Sequence, residues 1–252
     1  MAPNVTAMLQ APIIELDAID STNNYAMQLI DADTAQPGLT ITAKQQSQGK
    51  GQRGRLWIDV PDLSLLMSII TVPKYNLTEQ FLFNASVAVG IANVLQKLNE
   101  QWDIAIKWPN DIIVNDKKAG GVLIENVLRG SNWIYSIIGF GLNIKQDHFP
   151  AELPYATSLK ISSGKDYDIM MLRDMMREKI LEYVSVGWSA KEILQQYNDY
   201  LYRRGQVQTF TLHSSEWQGI ILAAEADGTL AVQLDNGNIV KYVHGAVMWK
   251  WG

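Results

Sequence analysis

The chain of 252 residues carries 21 Lys and Arg against 26 Asp and Glu, for a formal net charge of −5, and it has no cysteine. That balance argues against a general nucleic-acid binder, and the missing cysteines exclude disulfides, thiol nucleophiles and cysteine-ligated zinc. His148, His213 and His244 are too scattered to suggest a metal cluster; with no apolar run that reads as a bilayer span and no signal-peptide pattern, a cytoplasmic globular protein is expected, whose chemistry rests on Lys, Arg, Asp, Glu and backbone groups.

Residues 13–16 read as a strand, and Asp20-Ser21-Thr22-Asn23 offers N-cap residues to a helix carrying Tyr25, Ala26, Leu29 and Ile30. Capping alone would account for Ser21 and Thr22. A β-rich run at 39–43 leads into Q-Q-S-Q-G-K-G-Q-R-G-R-L-W, residues 45–57, which packs three glycines and three cations into one loop. Glycines let backbone amides turn inward, and Lys50, Arg53 and Arg55 add charge around whatever those amides hold, so the loop is suited to an anion. Gly49, Gly51 and Gly54 match G-x-G-x-x-G literally, but no helix opens at the third glycine, and Arg55 and Leu56 stand where a Walker loop needs Lys and Ser or Thr. Both nucleotide motifs fail, and without further context a solvated surface loop explains the stretch equally well.

A buried strand at 64–71 follows, then an amphipathic helix over 79–98 with Phe81, Ala85, Ala88, Ala92 and Leu95 on one face. Its small residues suggest close packing. Strands at 104–107 and 112–114 flank a Trp108-Pro109-Asn110-Asp111 turn, and Lys117 and Lys118 open a strand with Gly120 and Gly121 inside it. Interior glycines mark a bulge or a close backbone approach. The partner strand, 133–140, ends in Gly139-Phe140-Gly141-Leu142-Asn143, a second glycine-flanked site for close approach. Helices are expected from Ile169 to a stop at Gly187, and from the capping box Ser189-x-x-Glu192, with the methionines in the core. After Arg203-Arg204-Gly205 come short β runs at 207–212, 218–225, 230–234 and 239–243, separated by Asp227-Gly228 and Asn236-Gly237 hairpin signals. Two domains are expected, 1–204 and a small β-barrel over 205–252.

Six pieces in order, D-S-T-N (20–23), R-G-R-L-W (53–57), K-W-P-N-D (107–111), K-A-G-G-V-L-I-E (118–125), G-F-G-L-N (139–143) and A-T-S-L-K (156–160), together resemble the biotin protein ligases. With the first strand near residue 13, the expected form lacks the N-terminal DNA-binding domain of some members. The resemblance implies an α+β fold, a mixed β-sheet with helices on it of the class II aminoacyl-tRNA synthetase-like, biotin/lipoate ligase type, plus an SH3-like C-terminal barrel. It implies activation of biotin by MgATP to biotinyl-5′-AMP and transfer to a lysine of a biotin carboxyl carrier protein domain, with no nucleic acid or membrane as partner and a homodimer compatible with it. Lys118 and Arg55 are then catalytic, Lys118 by its register seven residues before Glu125, which leaves Lys117 solvated. Ser21, Thr22, Gln46, Gly49, Lys50, Trp57, Lys118 and Gly120 bind biotin. Gln52, Arg53, Arg55, Lys107, Asn110, Asp111 and Asn143 bind ATP, and Asp111 meets Mg2+ through the phosphates. Lys50 and Gln52 depart from the arginines common at those places, losing bidentate geometry at one and charge at the other. The alternatives are a lipoate or octanoate ligase and a non-catalytic biotin-binding protein.

Overall fold

In the computed structural model, which describes residues 4–212 and 215–251, the strands form two sheets. His213 lies outside the described residues. The larger sheet runs in the spatial order β1 (Ile13–Ile19), β2 (Thr40–Gln46), β3 (Ser64–Thr71), β7 (Asn132–Asn143), β6 (Lys117–Arg129), β5 (Asp111–Val114) and β4 (Ile104–Lys107). Only β1 and β2 pair in parallel, across helix α2 (Thr22–Asp31). The hairpin β6–β7 outruns its apolar stretches, because backbone pairing continues to Arg129 opposite Asn132 after the side chains turn polar.

Alternation along the strands gives the large sheet two unlike faces. Leu65, Met67 and Ile69 of β3, Val122 of β6 and Ile138, Phe140 and Leu142 of β7 enter the main core with helices α3 (Gln80–Leu98), α5 (Ile169–Val186) and α6 (Ala190–Asp199). Ile41, Ile70 and Ile137 point the other way, into a smaller cluster with Ala26 and Ile30 of α2. On this second face the positions after Ile137 are Gly139 and Gly141, and Gly121 pairs directly opposite Gly141. On this face β6 and β7 therefore carry a strip of three glycines, a trough that begins under the N-terminal turn of α2.

The helices begin and end where the sequence marks them. Asp168 accepts from the amides of Met170 and Met171 to open α5, Gly187 ends it at φ 68°, and Ser189 and Glu192 form the expected capping box of α6. Helix α3 starts one residue later than expected, after a 3₁₀ turn over Leu77–Glu79 capped by Asn76 and Glu79. Leu77–Leu98, contrary to the sequence reading, is by length and composition alone apolar enough to cross a bilayer, yet its most apolar stretch is mostly buried inside the protein. It is a core helix, enclosed by the sheet on one side and by α5 and α6 on the other.

Two short helices, α1 (Val5–Leu9) and α4 (Leu159–Ser163), have no counterpart in the sequence reading. Helix α1 is held from afar. The buried Arg177 guanidinium of α5 donates to the carbonyls of Met8 (3.0 Å), Leu9 (3.1 Å), Ala11 (2.8 Å) and Gly38 (3.1 Å) and to Thr40 Oγ1 (2.9 Å). Burial pulls its pKa below the ordinary arginine value.

The second sheet is separate and small, in the order β11 (Ile239–Tyr242), β10 (Leu230–Leu234), β9 (Ser215–Ala224), β8 (Val207–Leu212) and β12 (Met248–Trp249). Gly228 and Gly237 take φ of 83° in the two hairpins that the sequence marks. The two-residue β12 was not foreseen. Phe210, Ile221, Leu230 and Val232 of this sheet join the main core, so both sheets share apolar contacts.

Arg177→Met removes the donors from four backbone carbonyls at once. It is expected to lower the unfolding free energy by about 2–4 kcal/mol in urea denaturation, since hydrogen bonds from a charged donor are worth about 1.5–3 kcal/mol each and water recovers part of the loss. A change below about 1 kcal/mol would show that these bonds do not hold α1 to the fold.

Candidate functional site

The site is built on the glycine trough. A Cβ on Gly139 would stand 2.3 Å from Asn23 Oδ1, and one on Gly141 would stand 2.7 Å from the Trp57 indole, so each glycine is a space already filled from above. A Cβ on Gly121 would lie 3.5 Å from Asp111 Oδ1 and 3.6 Å from Lys118 Nζ. Gly120 faces the sheet instead, toward the Gly141 carbonyl at 2.8 Å and the Leu142 side chain. A bulge explains the exchange: Ile112 pairs with Gly120 but Ile113 with Lys118, so Ala119 is extra, and Gly121 rather than Gly120 shares a face with Lys118.

One end of the trough lies under the glycine-rich loop between β2 and β3. Trp57 donates its amide to the Gly49 carbonyl (2.8 Å) and Gly51 donates to the Arg55 carbonyl (2.7 Å), folding the loop into a tight hairpin. At its tip Arg53 takes φ 57° and Gly54 φ 76°. Trp57, Gln46, Gly49 and Asp59 line a cleft of about 170 Å³ at the loop's base. Gln46 Oε1 accepts from the Thr22 amide (2.8 Å) and lies 3.0 Å from Thr22 Oγ1. Ser21 is buried at the N-cap of α2, yet its side chain makes no capping bond, so capping does not account for its hydroxyl. Trp57 Nε1 and Gln52 Oε1 are buried without a partner among the described residues, which marks polar capacity still unmet.

The other end is electropositive. Lys118 Nζ sits 2.6 Å from Asp111 Oδ1, and both are partly exposed. Lys107, at the end of β4, is buried, and burial lowers its pKa to about 8, with Lys118 and Arg55 pushing the same way against Asp111. Its ammonium donates to the Trp249 carbonyl (3.3 Å) and lies 4.5 Å from the Trp249 ring and 4.7 Å from the Trp251 ring. His244 joins from the C-terminal part, its pKa lowered first by burial and then by Arg53. Arg53 Nη1 donates to the His244 carbonyl (3.2 Å) and covers Gly245, where a Cβ would overlap the guanidinium at 0.8 Å. Lys107, Lys118 and Arg55 around a single carboxylate leave a surplus of positive charge for an anion.

Lys50 Nζ is 3.4 Å from Glu125 Oε1, on the loop side. Asn110 donates to the Val122 carbonyl, and Asn143 donates to the Thr157 carbonyl (3.1 Å), so both amides hold backbone at the trough's margin. No group of three metal-ligating side chains exists among the described residues. A divalent ion with one protein carboxylate, Asp111, and phosphate oxygens as its other ligands fits magnesium chemistry. Sequence reasoning marked Gly121, Gly139 and Gly141 as places of close approach but missed Asn23, Glu125, His244, Trp249 and Trp251 as site members. Asn23 and Glu125 stand in motifs it had already quoted, whereas nothing in the sequence brings Trp249 and Trp251 to Lys107.

The model of the biotin/lipoate A/B protein ligase family matches residues 15–143. The bifunctional ligase/repressor BirA of Bacillus spizizenii is 29% identical over 250 residues, covering 96% of this chain and 74% of that protein. A biotin--[acetyl-CoA-carboxylase] ligase of Paracoccus denitrificans is 31% identical over 131 residues, 50% of this chain and 51% of that one. The biotin protein ligase from Aquifex aeolicus, in complex with biotin and ATP, superposes with a TM-score of 0.78 at 24% identity, over 95% of this chain and 99% of that one, and so shares its fold.

Because its pKa is lowered to about 8, Lys107 of the free protein is charged below that pH and loses its charge above it. Binding of sulfate, whose own charge is constant in this range, is expected to weaken as pH rises through about 8 in thermal-shift titrations, by up to roughly tenfold per pH unit. Lys107→Met should bind more weakly below that pH and show a flat profile. A wild-type profile as flat as the variant's would remove Lys107 from the anion site.

Proposed function

The chain belongs to the biotin/lipoate A/B protein ligase family, and from that premise we propose that it is an ATP-dependent biotin protein ligase, joining biotin to a lysine of a biotin carboxyl carrier protein domain. One observation carries the reading. A single trough has a neutral, hydrogen-bonding cleft at Gln46, Thr22 and Trp57 and a cluster of cations at Lys118, Lys107 and Arg55, linked by the cross-strand pair Gly141 and Gly121. A long ligand with a polar neutral head and a carboxylate tail fits that polarity.

In the first step a biotin carboxylate oxygen attacks the α-phosphorus of ATP, the bond to the bridging oxygen breaks, and pyrophosphate leaves with biotinyl-5′-AMP formed. In the second the carrier lysine's neutral amine attacks the acyl carbon, a proton is lost, and AMP departs. The first step brings anions together, so its barrier falls when fixed cations already surround the meeting point. Lys118 takes the reacting oxygens in this reading, held in place by Asp111, while Lys107 and Arg55 neutralise phosphate charge. Magnesium, when bound through the phosphates at Asp111, supplies further charge neutralisation. Gln46 and Thr22 hold the ureido head, with Ser21 beside them, and Trp57 walls the cleft from Gly49 and Lys50. Gln52 and Arg53 belong to the nucleotide half in this reading with Asn110 and Asn143, each of which has a second amide proton to offer a phosphate or a base.

The same reading divides the chain into a catalytic domain, 1–204, of class II synthetase type and a small SH3-like domain, 205–252, working in the cytoplasm on its carrier, with no role on nucleic acid or membrane. Lipoate would leave the polar groups of the cleft unpaired, since its dithiolane ring offers no N–H. Biotin-dependent exchange of labelled pyrophosphate into ATP is therefore expected, with lipoate giving none. Lys118→Ala should reduce exchange by about 10²- to 10³-fold, the usual effect of deleting one stabiliser of developing charge. Full exchange by the variant would remove Lys118 from its role, and exchange driven by lipoate alone would overturn the substrate.

A further inference from the structure

The glycine-rich loop is tied to the protein at its root and at one point of its tip. At the root Trp57 donates to the Gly49 carbonyl and seats its indole over Gly141, and Lys50 Nζ lies 3.4 Å from Glu125 Oε1. Across residues 51–56 the backbone bonds close within the loop itself, from Gly51 to the Arg55 carbonyl (2.7 Å) and from Arg55 to the Gln52 carbonyl (3.2 Å). Among the described residues, one hydrogen bond joins this tip to anything outside the loop, from Arg53 Nη1 to the His244 carbonyl at 3.2 Å.

Both partners of that bond are shaped for it. Arg53 takes φ 57°, a left-handed conformation disfavoured for any residue with a Cβ, and its side chain leaves the loop for the C-terminal sheet. Gly245 takes φ 81° in the turn between β11 and β12, and the Arg53 guanidinium fills the space a side chain there would need: a Cβ would stand 0.8 Å from Nη1 and 2.0 Å from Cζ. The turn is itself fixed. Ala246 donates to the Val243 carbonyl (3.0 Å), Val247 is buried in the main core, and the His244 ring packs edge-on against Trp108 at 5.5 Å, next in the chain to Lys107. Arg55, two residues beyond Arg53, comes close enough to Lys107 to help lower its pKa.

We propose that Arg53 is a positioning residue rather than a phosphate ligand: it clasps the tip of the glycine-rich loop to His244 and Gly245, so that the C-terminal sheet fixes where Arg55 stands over the anion half of the trough. The proposal rests on the ligase reading and deepens it, since it makes the β11–β12 turn part of the apparatus that receives ATP without touching the substrate. A loop without the clasp keeps its root, and with it the neutral end of the trough, but its tip samples many positions for Arg55. Ordering that tip again costs affinity and rate at the nucleotide alone.

Initial rates of biotin-dependent pyrophosphate exchange separate the two substrates. Arg53→Met, and Gly245→Ala whose methyl displaces the guanidinium, are each expected to lower kcat/KM for ATP by about 5- to 10-fold, with the KM for biotin within about twofold of wild type. The double variant should be no worse than either single one, because both break the same contact. Arg53→Lys, which keeps a donor for the His244 carbonyl, should recover most of the loss. A phosphate ligand would behave otherwise: Gly245→Ala would leave the ATP kinetics at the wild-type level, or the two losses would multiply, and either result overturns the proposal. In the ligand-free protein trypsin should cut after Arg55 several-fold faster in Arg53→Met than in Arg53→Lys. Equal cutting also overturns the proposal, and this comparison decides it should Gly245→Ala fail to fold. Proteolysis needs no substrate, so a wild-type protein without biotin-dependent exchange overturns the ligase reading and leaves the clasp to be judged by trypsin.

Discussion

Three glycines on one face of a sheet are the constraint on which the site depends. Each glycine inside a strand costs about 0.5–1 kcal/mol relative to alanine, so Gly121, Gly139 and Gly141 weaken the middle of β6 and β7 unless their space is put to use. It is used three times over: Asn23 from α2 occupies the gap at Gly139, Trp57 from the loop occupies Gly141, and the Lys118–Asp111 pair borders Gly121. Beside this strip Ile41, Ile70 and Ile137 pack on α2, whereas at the glycines a helix side chain and a loop side chain reach the backbone itself.

Electrostatics then divides the trough. At the Gln46 end the groups are neutral and buried, and their value lies in direction, since a buried acceptor without a donor is costly. At the Lys118 end charge is concentrated without full compensation, and Lys107 shows the consequence: enclosed by Trp249 and Trp251 and crowded by Lys118 and Arg55, it holds its proton less firmly than an exposed lysine does. An incoming polyphosphate relieves that crowding. The C-terminal sheet takes part in this as much as the large one, through the Trp249 carbonyl on Lys107, the His244 carbonyl on Arg53 and the Gly228 carbonyl on Trp108 Nε1.

Much of this was legible in the sequence where the cause is local. Gly187, the Ser189–Glu192 box and the Asp227-Gly228 and Asn236-Gly237 turns act over a few residues, and each structure stands where its signal does. Helix α1 was not legible, because five residues carry too little pattern and its anchor, Arg177, lies far along the chain. The exchange of Gly120 for Gly121 was hidden for another reason: strict alternation puts Lys118 and Gly120 on one face, and one bulged residue reverses it. Asn23 and Glu125 were visible as motif letters, but their contact spans the fold from α2 to β6, and only the pairing of β3, β7 and β6 brings them within 2.7 Å.

The whole site depends on the empty face of Gly141, which seats Trp57 and shapes the cleft. The direct measurement is single-turnover formation of biotinyl-5′-AMP by Gly141→Ala, with the melting temperature followed in parallel. The added methyl would lie 2.7 Å from the indole, so Trp57 must move. Adenylate formation slowed by about 10²-fold, the scale of a displacement near 1 Å at a reacting site, with the protein still folded, is the expected result. A folded Gly141→Ala protein that forms adenylate at the wild-type rate would contradict it.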